Sequence, residues 1–311
     1  MTDKNRWGVV FSSLSGSHKA QKRWRHIRQY METKGVVYDF VQSEESGSVE
    51  RLTRMLCENG YRTIVIVGGD GALNDAVNGI LSVSQLPEDF AFGVLPNGTG
   101  NDFASFWGIG YDNYRQAVDN IIARRTRKVD VGICYLCDAD NVCIRRHFLN
   151  CVNIGFGARL VGLTGKWVRL MGSKRWSLIP VFLSQIFERK SFKVRLKADT
   201  ETLEQDVMSI CVGNAHGYGQ TPNAVPYNGL LDMSIITRPL WWQLFEGFWL
   251  LGKGQFLNYR NVHPYRVKQV EFFDLGHATV SLDGSMMDTR HISTLRLLVE
   301  QERVNFIVGE D

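Results

Sequence analysis

The stretch from Thr63 to Ile80, TIVIVGGDGALNDAVNGI, constrains the fold of this chain more than any other. A short apolar run stops at Gly68, Gly69, Asp70 and Gly71, and Leu73, Val77 and Ile80 then recur at helical spacing. Glycines let the backbone turn tightly and come close to an anion, and the helix start behind them presents free N–H groups and a partial positive charge. The pattern predicts a phosphate-handling turn. Asp70 adds chemistry: a carboxylate beside phosphates is repelled unless a divalent cation lies between them or the carboxylate takes a proton from the attacking group, so the mix points to phosphoryl transfer.

A second turn of the same kind follows, where Phe90 to Leu95 gives way to Pro96, Asn97, Gly98, Thr99, Gly100, Asn101 and Asp102. Gly8 to Phe11 and Val36 to Val41 are further strand candidates. Ala20, Trp24, Ile27 and Met31, then Val49, Leu52 and Leu56, fall at helical spacing between them. Alternating strands and helices predict an α/β domain with a doubly wound parallel sheet, whose ligands sit beyond the carboxyl ends of the strands. Both glycine turns and the serine-rich turn Ser12 to Ser17 occupy that edge.

After a helix near Asn113 to Arg125 the texture becomes all-β. Strands are predicted at 129–136, 147–156, 192–198, 207–213, 230–237, 267–273 and 278–282, with helical interruptions at 176–187 and 240–251. The expected architecture is therefore α/β plus all-β, the second domain being a β-sandwich. No flexible linker marks the boundary near Lys128.

Together GGDGALNDAVNGI and LPNGTGNDFA resemble the signatures of the diacylglycerol kinase catalytic family, which includes bacterial lipid kinases and the sphingosine and ceramide kinases. Each block matches over about ten positions, far more than a lone glycine-rich turn. The resemblance implies that the last strand segment returns to the first domain. The domains are then 1–128 with a return of about 292–311, and 129–291 for the lipid substrate, with the active site in the cleft between them. ATP would lie on Gly68, Gly69 and Gly71 and on Asn97, Gly98 and Thr99, whose N–H groups and hydroxyl hold phosphate oxygens without changing protonation state. Asn74, Asn101 and Asp102 complete that set. Ser12, Ser13, Ser15, Gly16 and Ser17 are similar to the family's first nucleotide loop, with Ser12 and Ser13 in place of its Asn-Pro pair.

Asp70 has two candidate jobs, to take the proton of a substrate hydroxyl or to help hold Mg2+ through water. Asp283, in VSLDGSMMD, is its rival as catalytic base, because it resembles the aspartate of the family's late Asp-Gly-Glu motif; a strand-ending Asp-Gly turn is the plain alternative. Ser285 stands where glutamate is usual. VGNAHGYGQTPNAVPYNGLLDMSII resembles a family segment that holds a structural magnesium in some members, with Asp232 kept and Asn228 replacing an aspartate. Asp70, Asp232 and Asp283 are thus the candidate metal residues. Asn214 and His216 are the candidate substrate residues, although a histidine among glycines is more often a hydrogen-bonded loop residue.

The 36 basic and 32 acidic residues argue against a nucleic-acid partner. Local basic clusters such as Lys19 to Arg28 read as solvated faces. The N-terminus lacks the features of a secretory signal and no apolar run is long enough to span a membrane, so the expectation is a cytoplasmic enzyme with peripheral membrane association. On the same ground the six cysteines are expected to be reduced thiols. Cys134, Cys137, Cys143 and Cys151 match no common zinc module, and their segment alternates like a hairpin. GLTGKW and GFGARL lack residues that a P-loop and a dinucleotide fingerprint require.

PLWWQLFEGFWLL, from Pro239 to Leu251, carries Trp241, Trp242, Phe245, Phe248 and Trp249. It reads either as a membrane-interface element or as a helix packed on the second domain. The apolar Ser177 to Phe187 segment is a candidate lining for an acyl chain. The function this supports is an ATP-dependent lipid kinase that phosphorylates a lipid hydroxyl, on diacylglycerol or a sphingoid or ceramide-type lipid, at a membrane surface, with a homodimer left open. The alternatives are a GGDG-type kinase of a soluble hydroxyl, NAD kinase being nearest, or a catalytically weak nucleotide- or lipid-binding protein, the latter motivated by Ala72, Asn228 and Ser285.

Overall fold

A computed structural model of the chain describes residues 6–12, 18–45, 47–98, 100–159, 191–240, 242–275 and 278–309. It divides into two compact units, Met1–Val129 with Glu302–Asp311, and Asp130–Gln301.

The first unit alternates β1 (Trp7–Ser12), α1 (His18–Thr33), β2 (Tyr38–Ser43), α2 (Ser48–Glu58), β3 (Thr63–Gly68), α3 (Asp70–Leu81) and β4 (Ala91–Pro96), followed by the short α4 (Asp102–Phe106) and α5 (Tyr114–Ala123). The strands pair in parallel in the order β2, β1, β3, β4, and Phe306 of the last strand pairs in parallel with Phe92 of β4. Every residue of β1, β3 and β4 is buried, which is what a parallel sheet covered on both faces demands of its strands. α2 packs on α3, and α1 on α5. The chain reverses direction across the sheet between β1 and β3, so Ser12 and Gly68 end at a topological switch point, the place where such sheets bind ligands.

The second unit starts from β5 (Thr126–Cys137), which forms an antiparallel hairpin with β6 (Cys143–Phe148). It continues with β7 (Cys151–Gly155), β8 (Phe192–Ala198), β9 (Glu201–Gly213), β10 (Leu231–Thr237), α6 (Gln243–Gly252), β11 (Val262–Val267), β12 (Gln269–Asp274), β13 (Val280–Leu282), β14 (Ser285–Met287) and β15 (Thr294–Ile307). β9 organises this unit. Its first half pairs with β8, and its second half lies between β7 and β10. The inward residues of β5 to β13 and β15 close one apolar core around Phe148, Ile210, Met233 and Phe272. This is the expected sandwich.

The structure corrects several sequence readings. The predicted strand 147–156 is two strands, because the chain turns at Leu149 and Asn150, and 267–273 likewise splits around Lys268. The predicted helix 240–251 begins at Gln243. Cys137 and Cys143 are not free thiols but a disulfide. They face each other across the β5–β6 hairpin, a pairing fixed by hairpin register rather than by sequence spacing. The other four cysteines are free and buried. Segment 176–187 falls outside the described residues.

Candidate active site

In the first unit the two glycine turns meet backbone to backbone. A Cβ on Gly98 would sit 2.5 Å from the Cα of Gly69, and a Cβ on Gly69 would sit 3.0 Å from the Cα of Gly98. Only glycine fits there. The peptide N–H of Asn97 donates to the carbonyl of Gly68 at 2.8 Å, continuing the strand pairing into the turn. Asn101, itself left-handed at φ 59°, locks the second turn: its Oδ1 accepts the N–H of Gly98 at 3.1 Å and its Nδ2 donates to the carbonyl of Gly98 at 2.9 Å.

Asp70 joins the two turns. Its Oδ2 accepts the N–H of Asp102 and its Oδ1 the N–H of Phe103, both at 3.1 Å, so the first residue of α3 caps the start of α4. Among the described residues the N-terminus of α3 has no side-chain cap of its own, and nothing lies within 4 Å of a Cβ built on Gly71. Uncapped backbone N–H groups at a helix start are the kind of donors that bind anions. Asn74 is buried on α3, where the Nδ2 of Asn78 donates to its carbonyl. Ser12 is buried at the end of β1, against Gly68. Ser13, Ser15, Gly16, Ser17 and Thr99 lie outside the described residues.

One cation at this end escaped the sequence reading. Arg23 of α1 stacks its guanidinium 3.7 Å from the ring centre of Tyr111. Its buried Nε and Nη2 have no hydrogen-bond partner among the described residues. One turn earlier, the carbonyl of Ala20 accepts the Nδ2 of Asn97 at 3.4 Å, tying α1 to the second glycine turn. Within the Lys19 to Arg28 cluster only the fold distinguishes Arg23 from solvated neighbours.

In the second unit Asp283 anchors a buried polar knot. It is 2 % exposed, and its carboxylate accepts three backbone N–H groups, from Leu149 at 2.6 Å, Asn150 at 2.9 Å and Cys151 at 2.8 Å. Asp283 and Gly284 both have positive φ, as a two-residue I′ hairpin between β13 and β14 requires. The carbonyl of Asn150 in turn accepts the N–H groups of Asn214 and Ala215, while the Nδ2 of Asn214 donates to the carbonyls of Leu149 and Asp130. Asp130, 1 % exposed, accepts the N–H of Gly229 through Oδ2. Asp130 was not singled out from the sequence; a carboxylate between Val129 and Val131 in a buried strand was the available signal.

The remaining candidates sit apart from this knot or at its rim. His216 is exposed on its loop, with enough neighbouring chain around the imidazole to lower its pKa below the ordinary value. Asp232 pairs across β10 and β11 with Arg266, whose Nε is 2.8 Å away, so a guanidinium occupies the carboxylate proposed for a cation. The Oδ1 of Asn228 accepts the N–H of Leu230. Among the described residues no group of three or more His, Cys, Asp or Glu side chains is arranged to hold a metal ion.

Comparison with known proteins decides the family. Residues 6–134 match the diacylglycerol kinase catalytic domain, and residues 150–294 match the YegS C-terminal NAD kinase beta sandwich-like domain. Residues 6–134 belong to the diacylglycerol kinase catalytic family. It is 31% identical over 211 residues to a Shewanella frigidimarina protein named "Probable lipid kinase YegS-like", a match that spans 65% of this chain and 63% of that protein. It is also 21% identical over 284 residues to a diacylglycerol kinase of Bacillus subtilis, covering 89% and 88% of the two chains. A solved structure of a diacylglycerol kinase from Bacillus anthracis superposes with a TM-score of 0.67 at 16% identity, over 99% of this chain and 98% of that one, and shows the same fold.

Proposed function

We propose that this member of the family is an ATP-dependent lipid kinase that transfers the γ-phosphate to a lipid hydroxyl. The observation that carries the reading is the junction of the two glycine turns, with Asp70 bonded across it. The names of the relatives support a lipid acceptor.

In this reading the N–H groups at the start of α3 and in the Asn97–Gly98 turn hold phosphate oxygens. The helix dipole and the Arg23 guanidinium offset their charge. Positioning and charge stabilisation supply most of the rate of phosphoryl transfer, and rigid backbone donors suit both. The Asp70 carboxylate, on a partly exposed residue, takes the hydroxyl proton. Asp283 is a positioning residue, because its carboxylate is buried and committed to three backbone donors. The knot it closes fixes the loops that carry Asn214 and His216, the proposed substrate residues. Mg2+ commonly binds through substrate phosphates, water and one or two carboxylates rather than a dedicated cage, and Asp70 with the phosphates fits that pattern. The ion would neutralise developing charge on the phosphates.

Incubation with γ-labelled ATP and a panel of diacylglycerol, sphingoid base, ceramide, phosphatidylglycerol and NAD+ tests the reading. Label in a lipid from wild type, with at least a hundredfold less from Asp70→Asn, is expected. Label in NAD+ alone would move the acceptor to the soluble class, and no label in any acceptor would favour a binding protein.

A further inference from the structure

A guanidinium is a rigid planar set of N–H donors, and Nε and Nη2 share one edge of it, the edge that meets two oxygens of a single phosphate or carboxylate in parallel. In Arg23 those two nitrogens are the ones that are buried with no hydrogen-bond partner among the described residues. Charged donors left buried and unsatisfied are costly, so their presence on α1 points to an acceptor that the described residues do not supply.

The surroundings hold this group still. The guanidinium carbon lies 3.7 Å from the ring centre of Tyr111 and 5.8 Å from that of Tyr114. Tyr114 meets Tyr30 edge-on at 6.3 Å, and the Tyr30 hydroxyl donates to Asp119 of α5 at 2.8 Å. The stack therefore bridges α1 and the start of α5, which pack on each other. A ring takes up the flat face of a guanidinium and leaves the in-plane N–H groups for an acceptor. Tyr111 is 37% exposed, so the stack reaches the surface. Long side chains on a helix lean toward its N-terminus, and one turn back from Arg23 stands Ala20, whose carbonyl accepts Nδ2 of Asn97 from the second glycine turn at 3.4 Å.

We infer that Arg23 grips one phosphate group of the nucleotide through its Nε–Nη2 edge, and that Tyr111 is the positioning residue that presents this edge. The inference deepens the proposed function and rests on its placement of nucleotide at the glycine turns. It goes beyond an offset of charge, because a fork recognises two oxygens in fixed geometry and a lysine, a point charge, does not replace it. The clamp recognises phosphate rather than the nucleoside. Inorganic pyrophosphate and adenosine separate the two parts of the ligand.

The test is calorimetric titration of the full chain with ADP, pyrophosphate and adenosine, alongside thermal unfolding without ligand. Arg23→Met keeps an unbranched stem and removes the buried charge, so its melting temperature should equal or exceed that of wild type. Its affinity for ADP and for pyrophosphate should fall on the order of tenfold to a hundredfold, the worth of two charged hydrogen bonds, with adenosine affinity unchanged. Arg23→Lys should lose nearly as much. Tyr111→Phe should bind as wild type and Tyr111→Ala should lose part of the same affinity, because the ring and not its hydroxyl positions the fork. A wild type that binds neither ADP nor pyrophosphate would overturn the clamp. So would wild-type affinities in Arg23→Met or Arg23→Lys, or a destabilised Arg23→Met that loses adenosine and ADP affinity equally. Loss of pyrophosphate binding in Arg23→Met, from a wild type that labels no acceptor, would sink the kinase reading and leave the clamp. Lipid labelling with an unchanged KM for ATP in Arg23→Met would sink the clamp and leave the kinase.

Discussion

Replacing Gly98 with alanine tests whether the two glycine turns must touch. The new Cβ would fall 2.5 Å from the Gly69 Cα, about 0.9 Å short of the 3.4 Å at which ordinary contact begins, and 3.0 Å from Oδ1 of Asn101. Both neighbours are held, Gly69 by the start of α3 and Asn101 by its paired bonds to Gly98. Relief must come from separating the turns, which stretches the Asp70 bonds to Asp102 and Phe103. Overpacking of this kind destabilises by about 1–3 kcal/mol, and a displacement approaching 1 Å in a phosphate site lowers turnover by roughly a hundredfold. Gly71→Ala is the matched control, since its Cβ meets nothing within 4 Å among the described residues. Thermal unfolding without nucleotide, ATP titration calorimetry and lipid phosphorylation should show Gly98→Ala less stable and weak in both binding and turnover, with Gly71→Ala as stable as wild type. A Gly98→Ala protein with wild-type melting temperature and ATP affinity would refute the close approach.

Four further outcomes follow from the geometry. Asp70→Asn should lower stability by about 1 kcal/mol, because an amide has one acceptor oxygen for two N–H donors, alongside the loss of activity. Asp283→Asn should cost about 1–3 kcal/mol in denaturant titration, since a buried N–H loses its acceptor, whereas neutralising the largely exposed Arg266 opposite Asp232 should change stability by less than about 1 kcal/mol. Thiol titration at pH 8 should find no fast-reacting cysteine in the native protein, four after denaturation and six after reduction, because four thiols are buried and two are bonded. Burial pushes the Cys57 and Cys134 thiols up to about 12. His216 should titrate below the ordinary 6.5 in an NMR experiment, as burial disfavours its charged form. Its contribution is then fully present above the unfolded value and is lost as pH falls toward the folded one.

The sheet of the first unit was legible because each strand is followed by its helix and each turn announces itself with glycine. β3 and β4 needed only one-residue adjustments. Asp70 stood out because an acid in a phosphate turn is an electrostatic oddity, yet its bonds to Asp102 and Phe103 join residues too distant in sequence for periodicity to connect. The same limit hid Asp130, Arg23 and the Cys137–Cys143 bond. Each draws its meaning from a distant hydrogen-bond donor, a stacking ring or an antiparallel register that only the folded chain supplies. Asp283 was visible as the acid of an Asp-Gly turn, but its three backbone donors come from residues 149–151. The α6 segment read either as a membrane-interface element or as a packed helix, and the burial of Leu244 and Leu250 beside Met208 and Ile236 is a tertiary contact that periodicity does not supply.

The central claim is that one nucleotide occupies both glycine turns. Amide hydrogen exchange with and without a non-hydrolysable ATP analogue measures this directly. The account predicts slowed exchange in both 69–73 and 97–103 at the same ligand concentration, and loss of both effects together in Gly98→Ala. Protection of one turn without the other, or of neither under saturating nucleotide, would contradict it.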